Sequence, residues 1–288
     1  MEYPCLINFG TGKEKIMDHQ IPGNIRKPAV AGMFYPDNAT ELKSAVEGYL
    51  SHQPIEKDIA PSILIVPHAG YIYSGVVASK AFDLLQNMPN SYTHVAIMGP
   101  PHRVYLDKIA ISSAKAFSTP LGQIQVDHDR LDQLKAKLGS IVVSDNAHLK
   151  EHCIEVQLPF LQTVLHDFKL LPLLVGNLSV EDVSHLIKML TEFKDTLIVI
   201  STDLSHFLPY HEAKKCDEKT TRQIESFDYQ SLDDHSACGL WALRGALHFA
   251  SVMGMGIQRL ALQNSGDTSG HRDQVVGYGA WAIYEQNN

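Results

Sequence analysis

The stretch Ile63-Leu64-Ile65-Val66-Pro67-His68-Ala69-Gly70-Tyr71 runs from four apolar residues directly into a histidine and a glycine. Apolar residues without polar alternation are the pattern of a strand covered on both faces, as in a parallel sheet. The same grammar recurs twice. Val95-Ala96-Ile97-Met98 leads through Gly99-Pro100-Pro101 to His102, and Leu197-Ile198-Val199-Ile200 leads through Ser201-Thr202-Asp203 to His206. Residues 170–175 form a fourth apolar run. Helical patterns lie between. Asn38 with Glu41 three residues on caps a helix carrying Leu42, Val46 and Leu50 on one face, and residues 151–166, 180–193 and 239–252 are further candidates. Strands alternating with helices predict a single α/β domain, a central β-sheet core flanked by helices. Residues 257–262 and 275–284 read as two last strands joined by a Gly-rich loop, either extending the sheet at an edge or forming its centre.

Composition narrows the function classes. The chain has 288 residues, 44% hydrophobic and 19% charged, ordinary for a globular protein and wrong for a disordered one. Twenty-four basic against 32 acidic side chains give a net charge of −8, which argues against a nucleic-acid partner. No apolar run reaches the ~18–20 residues of a membrane helix, and the first residues have neither the basic start nor the apolar stretch of a signal peptide. Cys5, Cys153, Cys216 and Cys238 form no CxxC pair and are too few for a disulfide framework. The expectation is a cytoplasmic protein with reduced thiols and no membrane association.

Fifteen histidines are the compositional signal. Three follow apolar strands, where loops at the strands' carboxyl ends form the ligand crevice of open α/β sheets. Imidazole is the commonest metal ligand and titrates near neutrality. Gly70, Gly99 and the prolines suit tight turns with close backbone approach. A site built on His68 and His102 needs a third ligand: Asp203, Glu155, Asp233, Asp234 and Asp267 are carboxylate candidates. Cys238 is the thiolate candidate, because it precedes a helical pattern and a cysteine at a helix N-terminus ionises readily. The other cysteines read as structural. His148 and His152, ahead of an amphipathic helix, read as exposed or as supporting groups. Ser205 beside Asp203 and His206 does not make a hydrolase triad; residues this close in sequence do not reach triad geometry, and no GxSxG elbow is present.

Five motifs carry a resemblance: Arg26-Lys-Pro-Ala-Val-Ala-Gly-Met-Phe-Tyr-Pro36, Val66-Pro-His-Ala-Gly-Tyr-Ile-Tyr-Ser-Gly75, Gly99-Pro-Pro-His102, Glu151-His-Cys-Ile-Glu155 and Ser201-Thr-Asp-Leu-Ser-His206. Together they strongly resemble the Memo family, which includes the animal mediator of cell motility and the prokaryotic AmmeMemoRadiSam system protein B. The resemblance divides the chain into an extension, residues 1–25, and a Memo-like domain, residues 26–286. It implies the fold of class III extradiol ring-cleaving dioxygenases, whose iron(II) is held by two histidines and a carboxylate. Carried over residue by residue, it makes His68 and His102 metal ligands, places Cys238 where the dioxygenases have the carboxylate, and gives His206 the acid/base position with Asp203 beside it. His152, Glu155 and Tyr71 are implied to line or brace the same crevice.

A thiolate is softer than a carboxylate, so dioxygenase chemistry does not transfer automatically. The resemblance implies a redox-type metalloenzyme of unknown substrate, with iron or copper and with zinc as the alternative. Two other classes stand beside it: a non-catalytic module binding a peptide or protein in the crevice, and a zinc-dependent hydrolase with metal-bound hydroxide as nucleophile. The implied partners are a small molecule or peptide and, by family association, a radical-SAM protein.

Overall fold

The apolar runs fold as central strands. The computed structural model describes residues 24–50, 59–88, 90–268 and 270–286. Residues 1–23, and with them Cys5 and most of the expected extension, lie outside the described residues. In chain order the elements are β1 (Ile25–Arg26), α1 (Ala39–Tyr49), β2 (Pro61–Val66), α2 (Tyr71–Phe82), β3 (His94–Gly99), β4 (Ile109–Ile111), β5 (Ala116–Thr119), β6 (Gly122–Gln125), α3 (His128–Lys137), β7 (Ile141–Val143), α4 (Asp145–Leu149) and α5 (Leu158–Val164). There follow β8 (Lys169–Val175), α6 (Val180–Thr191), β9 (Thr196–Ser201), β10 (His206–Leu208), α7 (Tyr210–Glu225), α8 (Leu240–Val252), β11 (Gly256–Asn264), α9 (Ser265–Thr268) and β12 (Val275–Tyr284).

The main sheet runs β10-β12-β2-β9-β3-β8-β4-β7, with β11 paired to β12. Strands β2, β9, β3 and β8 are mutually parallel neighbours, while β12 joins β2 antiparallel, so the sheet is mixed. Ile63 to Val66, Val95 to Met98 and Leu197 to Ile200 are all fully buried, which is why these segments show no polar alternation. The choice left open for the C-terminal strands is decided: β12 lies within the sheet, between β2 and β11, and β11 extends the sheet at an edge. A small sheet, β1-β5-β6, stands apart.

Helices cover the sheet. Helices α6 and α8 meet closely, since a Cβ on Gly245 would lie 2.3 Å from a methyl of Val183. Helices α1, α2 and α5 share an aromatic cluster in which Phe82 and Phe160 stack at 5.1 Å, with Tyr71 4.9 Å from Phe160. Each such buried apolar side chain contributes roughly 1.5–3 kcal/mol. The sequence pattern predicts a helix over 151–166, but the α-helix starts only at Leu158, after a 3₁₀ turn at Glu155–Gln157. Pro159 sits in its first turn, where a missing N–H costs nothing, and the Glu151 carboxylate takes the N–H groups of His152 and Cys153. No helix among the described residues is long and apolar enough to cross a membrane.

Candidate metal centre

Because β9 lies between β2 and β3, the three loops beyond these parallel strands open side by side. They bring His68, His102 and Asp203 to one end of the sheet, and the approach to α8 adds Cys238. Ligand atoms of His68, His102 and Cys238 all lie within 4.8 Å of one another. The Cys238 Sγ is 3.2 Å from His68 Nε2, and the rings of His68 and His102 stand edge to face at 5.0 Å. Cys238 reaches this position because the chain around it is bonded to the end of β9. Its N–H donates to the Asp203 carbonyl, the Asp203 N–H donates to Sγ at 3.3 Å, and the Gly239 N–H donates to Thr202 Oγ1. Gly239 permits the approach: a Cβ there would lie 2.7 Å from Thr202 Cβ and 2.9 Å from the Ser201 carbonyl oxygen.

Hydrogen-bond accounting fixes which nitrogen of each imidazole faces the cluster. The Ser201 hydroxyl has one proton, which goes to the Cys153 carbonyl at 2.7 Å, and it accepts from Gln157 Nε2 at 2.9 Å. Its contact with His68 Nδ1 at 3.0 Å must therefore be donated by the ring. Similarly, His102 Nδ1 donates to Glu151 Oε1 at 2.9 Å, since an ionised carboxylate only accepts. Both rings thus keep Nδ1–H tied off and turn Nε2 to the thiol, the arrangement typical of metal-binding histidines.

The charges reinforce one another. Burial alone would push the Cys238 thiol up, but His68, His102 and His206 outweigh it and hold the thiol well below its ordinary range. Burial likewise opposes the cations of His68 and His102. The Cys238 charge, with Asp203 for the first and Glu151 for the second, nevertheless raises both above the usual histidine value. An ion held between these groups would take the place of their protons.

His206 stands beside this trio without joining it. Burial lowers its basicity, but Cys238 and Asp203 outweigh that and raise it. It occupies β10, where the register against β12 shifts between His206 and Leu208, and Phe207 takes a φ of 57°. A bulge of this kind re-aims the neighbouring side chain, and a left-handed phenylalanine is a strained residue held by its surroundings. The buried Asp203 carboxylate accepts the His68 backbone N–H at 2.7 Å.

The other sequence candidates have partners of their own. Glu155 is fully buried, pairing with Arg26 and accepting from Ala29 N, Val30 N and the Tyr35 hydroxyl. Tyr71 lies in the aromatic cluster and donates to the Val156 carbonyl. His152 stacks on His102 at 4.7 Å and touches Phe34, and burial with the neighbouring imidazoles pushes it down to about 3. His148 is buried rather than exposed, bonded through Nε2 to the Ala110 carbonyl and pushed down to about 4 by burial. Asp233 binds its own loop, Asp267 accepts from Asn264 N and from the Tyr210 hydroxyl, Asp234 is exposed, and Cys153 and Cys216 bond to carbonyl oxygens.

Three orienting residues went unassigned in the sequence reading: Glu151, Ser201 and Gln157. Glu151 stands inside the Glu-His-Cys-Ile-Glu motif and Ser201 opens the Ser-Thr-Asp-Leu-Ser-His motif, both usable signals; Gln157 offers none. A second group, His102, Glu151 and His152, also has the spacing to hold an ion. Its carboxylate already accepts from His102 N, His102 Nδ1, His152 N and Cys153 N, so it reads as an orienting hub.

Comparison with known proteins agrees along nearly the whole described chain. The family model described as "Memo-like protein" matches residues 26–282. A "MEMO1 family protein" of Metallosphaera sedula is 34% identical over 277 residues, covering 88% of this chain and 97% of that protein. One from Aquifex aeolicus is 35% identical over 266 residues, with 88% and 97% covered. Another, from Methanobrevibacter smithii, is 33% identical over 277 residues, with 88% and 98% covered.

Proposed function

This chain belongs to the Memo family, and on that footing we propose that it is a cytoplasmic metal-dependent redox enzyme whose ion is held by His68, His102 and Cys238. One observation carries the reading: two Nε2 atoms, each with its Nδ1–H committed to an acceptor, converge with a cysteine sulfur held as thiolate. A nitrogen–nitrogen–sulfur set with a soft thiolate suits copper(I), thiolate-bound iron or zinc, and the reading takes iron or copper. Such an ion, when bound, would supply one-electron chemistry. The rest is done by the chain. His206 holds or moves a proton at the edge of the cluster, and Asp203 fixes the His68 backbone and shares its field with both imidazoles. Glu151 and Ser201 keep the two ligand rings from turning. A dioxygenase-like ancestry and a radical-SAM partner belong to this proposal as well.

The test is elemental analysis of untagged protein, beside Cys238→Ala and His102→Ala. Iron or copper near one per chain in the parent protein, lost in both variants, supports the reading. Zinc alone would replace it with metal-assisted hydrolysis. A protein that neither carries nor takes up any of the three ions would be a binding module.

A further inference from the structure

Glu151 orients His102, and the residue that in turn holds Glu151 lies 125 positions earlier. Arg26, 1% exposed, belongs to β1, pairs in register with Phe117 of β5, and sets its guanidinium 5.5 Å from the Phe117 ring. Its three nitrogens have separate tasks. Nε donates to the His148 carbonyl at 3.2 Å, Nη2 donates to the Glu151 carbonyl, and Nη1 pairs with the Glu155 carboxylate. The first two acceptors bracket the turn that closes with Glu151 N–H to the His148 carbonyl. Glu155 is itself pinned by Ala29 N, Val30 N and Tyr35 OH, so the strap from Arg26 to Tyr35 and the segment 148–155 form one buried polar unit. The strap also reaches the cluster directly: Phe34 lies 4.9 Å from the His152 ring, and its carbonyl accepts the Tyr71 N–H.

We propose that Arg26 is a positioning residue for the His102 side of the metal centre, acting through Glu151 and reaching the His68 side only at second hand, through the Cys153 peptide. This rests on the metal-centre reading for its consequence, though not for its geometry. The His68 ring is set by Ser201, whose other partners are Gln157 and the Cys153 carbonyl, and Arg26 bonds to none of these. The two imidazoles therefore answer to two hydrogen-bond sets that meet at the Cys153 peptide, whose N–H donates to Glu151 and whose carbonyl accepts from Ser201. Only a planar fork can serve three acceptors in these directions; a lysine keeps the charge and loses the fork.

The experiment uses Arg26→Lys, Glu151→Gln and Ser201→Ala, with two measurements. In metal-free protein, NMR follows the hydrogen-bonded Nδ1–H resonances of the two rings. Arg26→Lys should shift or broaden that of His102 more than that of His68, and Ser201→Ala should do the reverse. In cobalt(II) titrations, Arg26→Lys should weaken binding roughly 10-fold and Glu151→Gln roughly 10–100-fold, the usual range for groups that orient a ligand. Arg26→Lys should add nothing in the Glu151→Gln background and most of its factor in the Ser201→Ala background, the non-additivity expected of residues on one path. A folded Arg26→Lys protein with a parental His102 resonance, or with factors that multiply in the Glu151→Gln background, overturns the proposal. If parental protein takes up no cobalt, the metal-centre reading fails, and the resonances alone decide the role of Arg26. Should Arg26→Lys not fold, Tyr35→Phe, which removes one tether from Glu155, takes its place. It should disturb the His102 resonance more than that of His68, and an unchanged His102 resonance would overturn the proposal equally.

Discussion

Strand β3 has a histidine at its start and another just beyond its end, both beside carboxylates and both with an arginine close by. At the start, His94 has Nε2 2.9 Å from Asp127 and Nδ1 3.1 Å from Asp195, with Arg130 backing Asp195 at 2.9 Å. Beyond the end, His102 has Nδ1 on Glu151, and Arg26 holds the Glu151 carbonyl. The polar groups are of the same kinds; what the second nitrogen meets differs. A ring held by two carboxylates is closed, a tie between a helix and a sheet. One held by a single carboxylate, with its other nitrogen facing the Cys238 sulfur, is open: it can give up the shared proton to an ion. The open ring lies at the carboxyl end of parallel strands, where loops from β2, β3 and β9 meet. The closed ring lies where β3 begins and Asp127 caps α3.

The largest effect that could break this comparison is on the open side. Cys238→Ala and His102→Ala should each weaken metal binding by more than about 100-fold, since even groups that merely orient a ligand cost 10–100-fold. The melting temperature of the metal-free variants should stay close to that of the metal-free parent, because the core is apolar and continuous without the cluster. Next comes His206→Ala. It should keep near-parental metal content and lose roughly 10²–10⁴-fold of turnover once a substrate is in hand, the usual contribution of a positioned acid or base. Metal content is checked first, by elemental analysis. A metal-free His206→Ala protein would add His206 to the ligands and make the open side larger than three residues.

The two ends of β3 were not equally legible. Apolar runs identify β2, β3, β8 and β9 because strands buried on both faces cannot alternate. The strand-end histidines follow from the same reading, and Cys238 from its helix and from the family motifs. Helix α7 escaped because its buried side includes Asp217, Thr220, Thr221 and Gln223, so polar residues hide the helical period. Helix α2 escaped because Gly70, Gly75 and its aromatic residues resemble a turn and a strand more than a helix. The roles of Ser201 and Gln157 depend on where single protons point across elements far apart in sequence, and no local pattern encodes that. His94 gave no signal for the same reason: its partners are 33 and 101 positions away.

His148 sharpens the comparison from the buried side. Its Nε2 donates to the Ala110 carbonyl, and burial with the nearby Arg26 charge holds it at about 4. A folded-state value below the unfolded ~6.5 means that protons favour the unfolded chain. The stabilising contribution is complete above pH ~6.5 and is lost as pH falls from there towards 4. Between pH 7.5 and 5 the loss should be about 2 kcal/mol. Urea unfolding of metal-free protein should show a fall from pH 7.5 to 5 that is shallower by about that amount in His148→Gln, whose amide can still donate to Ala110. Equal falls in the two proteins would mean that His148 is not held neutral.

The smallest expected effect tests the closed ring itself. Removing His94 as His94→Asn leaves Asp127 and Asp195 without their shared imidazole, but neither carboxylate is abandoned. Asp127 still accepts Arg130 N–H at the start of α3, and Asp195 still accepts Arg130 Nη2 at 2.9 Å. Asp195 is also 38% exposed, so water covers part of its loss. The net cost should therefore be about 1 kcal/mol, at the low end for hydrogen bonds to charged groups, or a melting temperature lower by about 2 °C. Metal content and cobalt affinity should not change, because the strand between the two histidines is fully buried from Val95 to Met98 and is held on both sides by β8 and β9. Such a strand transmits little from a loosened start to its far end. A His94→Asn protein with parental stability but weakened cobalt binding would reverse the assignment of the two rings. It would mean that the doubly bonded histidine, and not only the open one, governs the centre at the opposite end of β3.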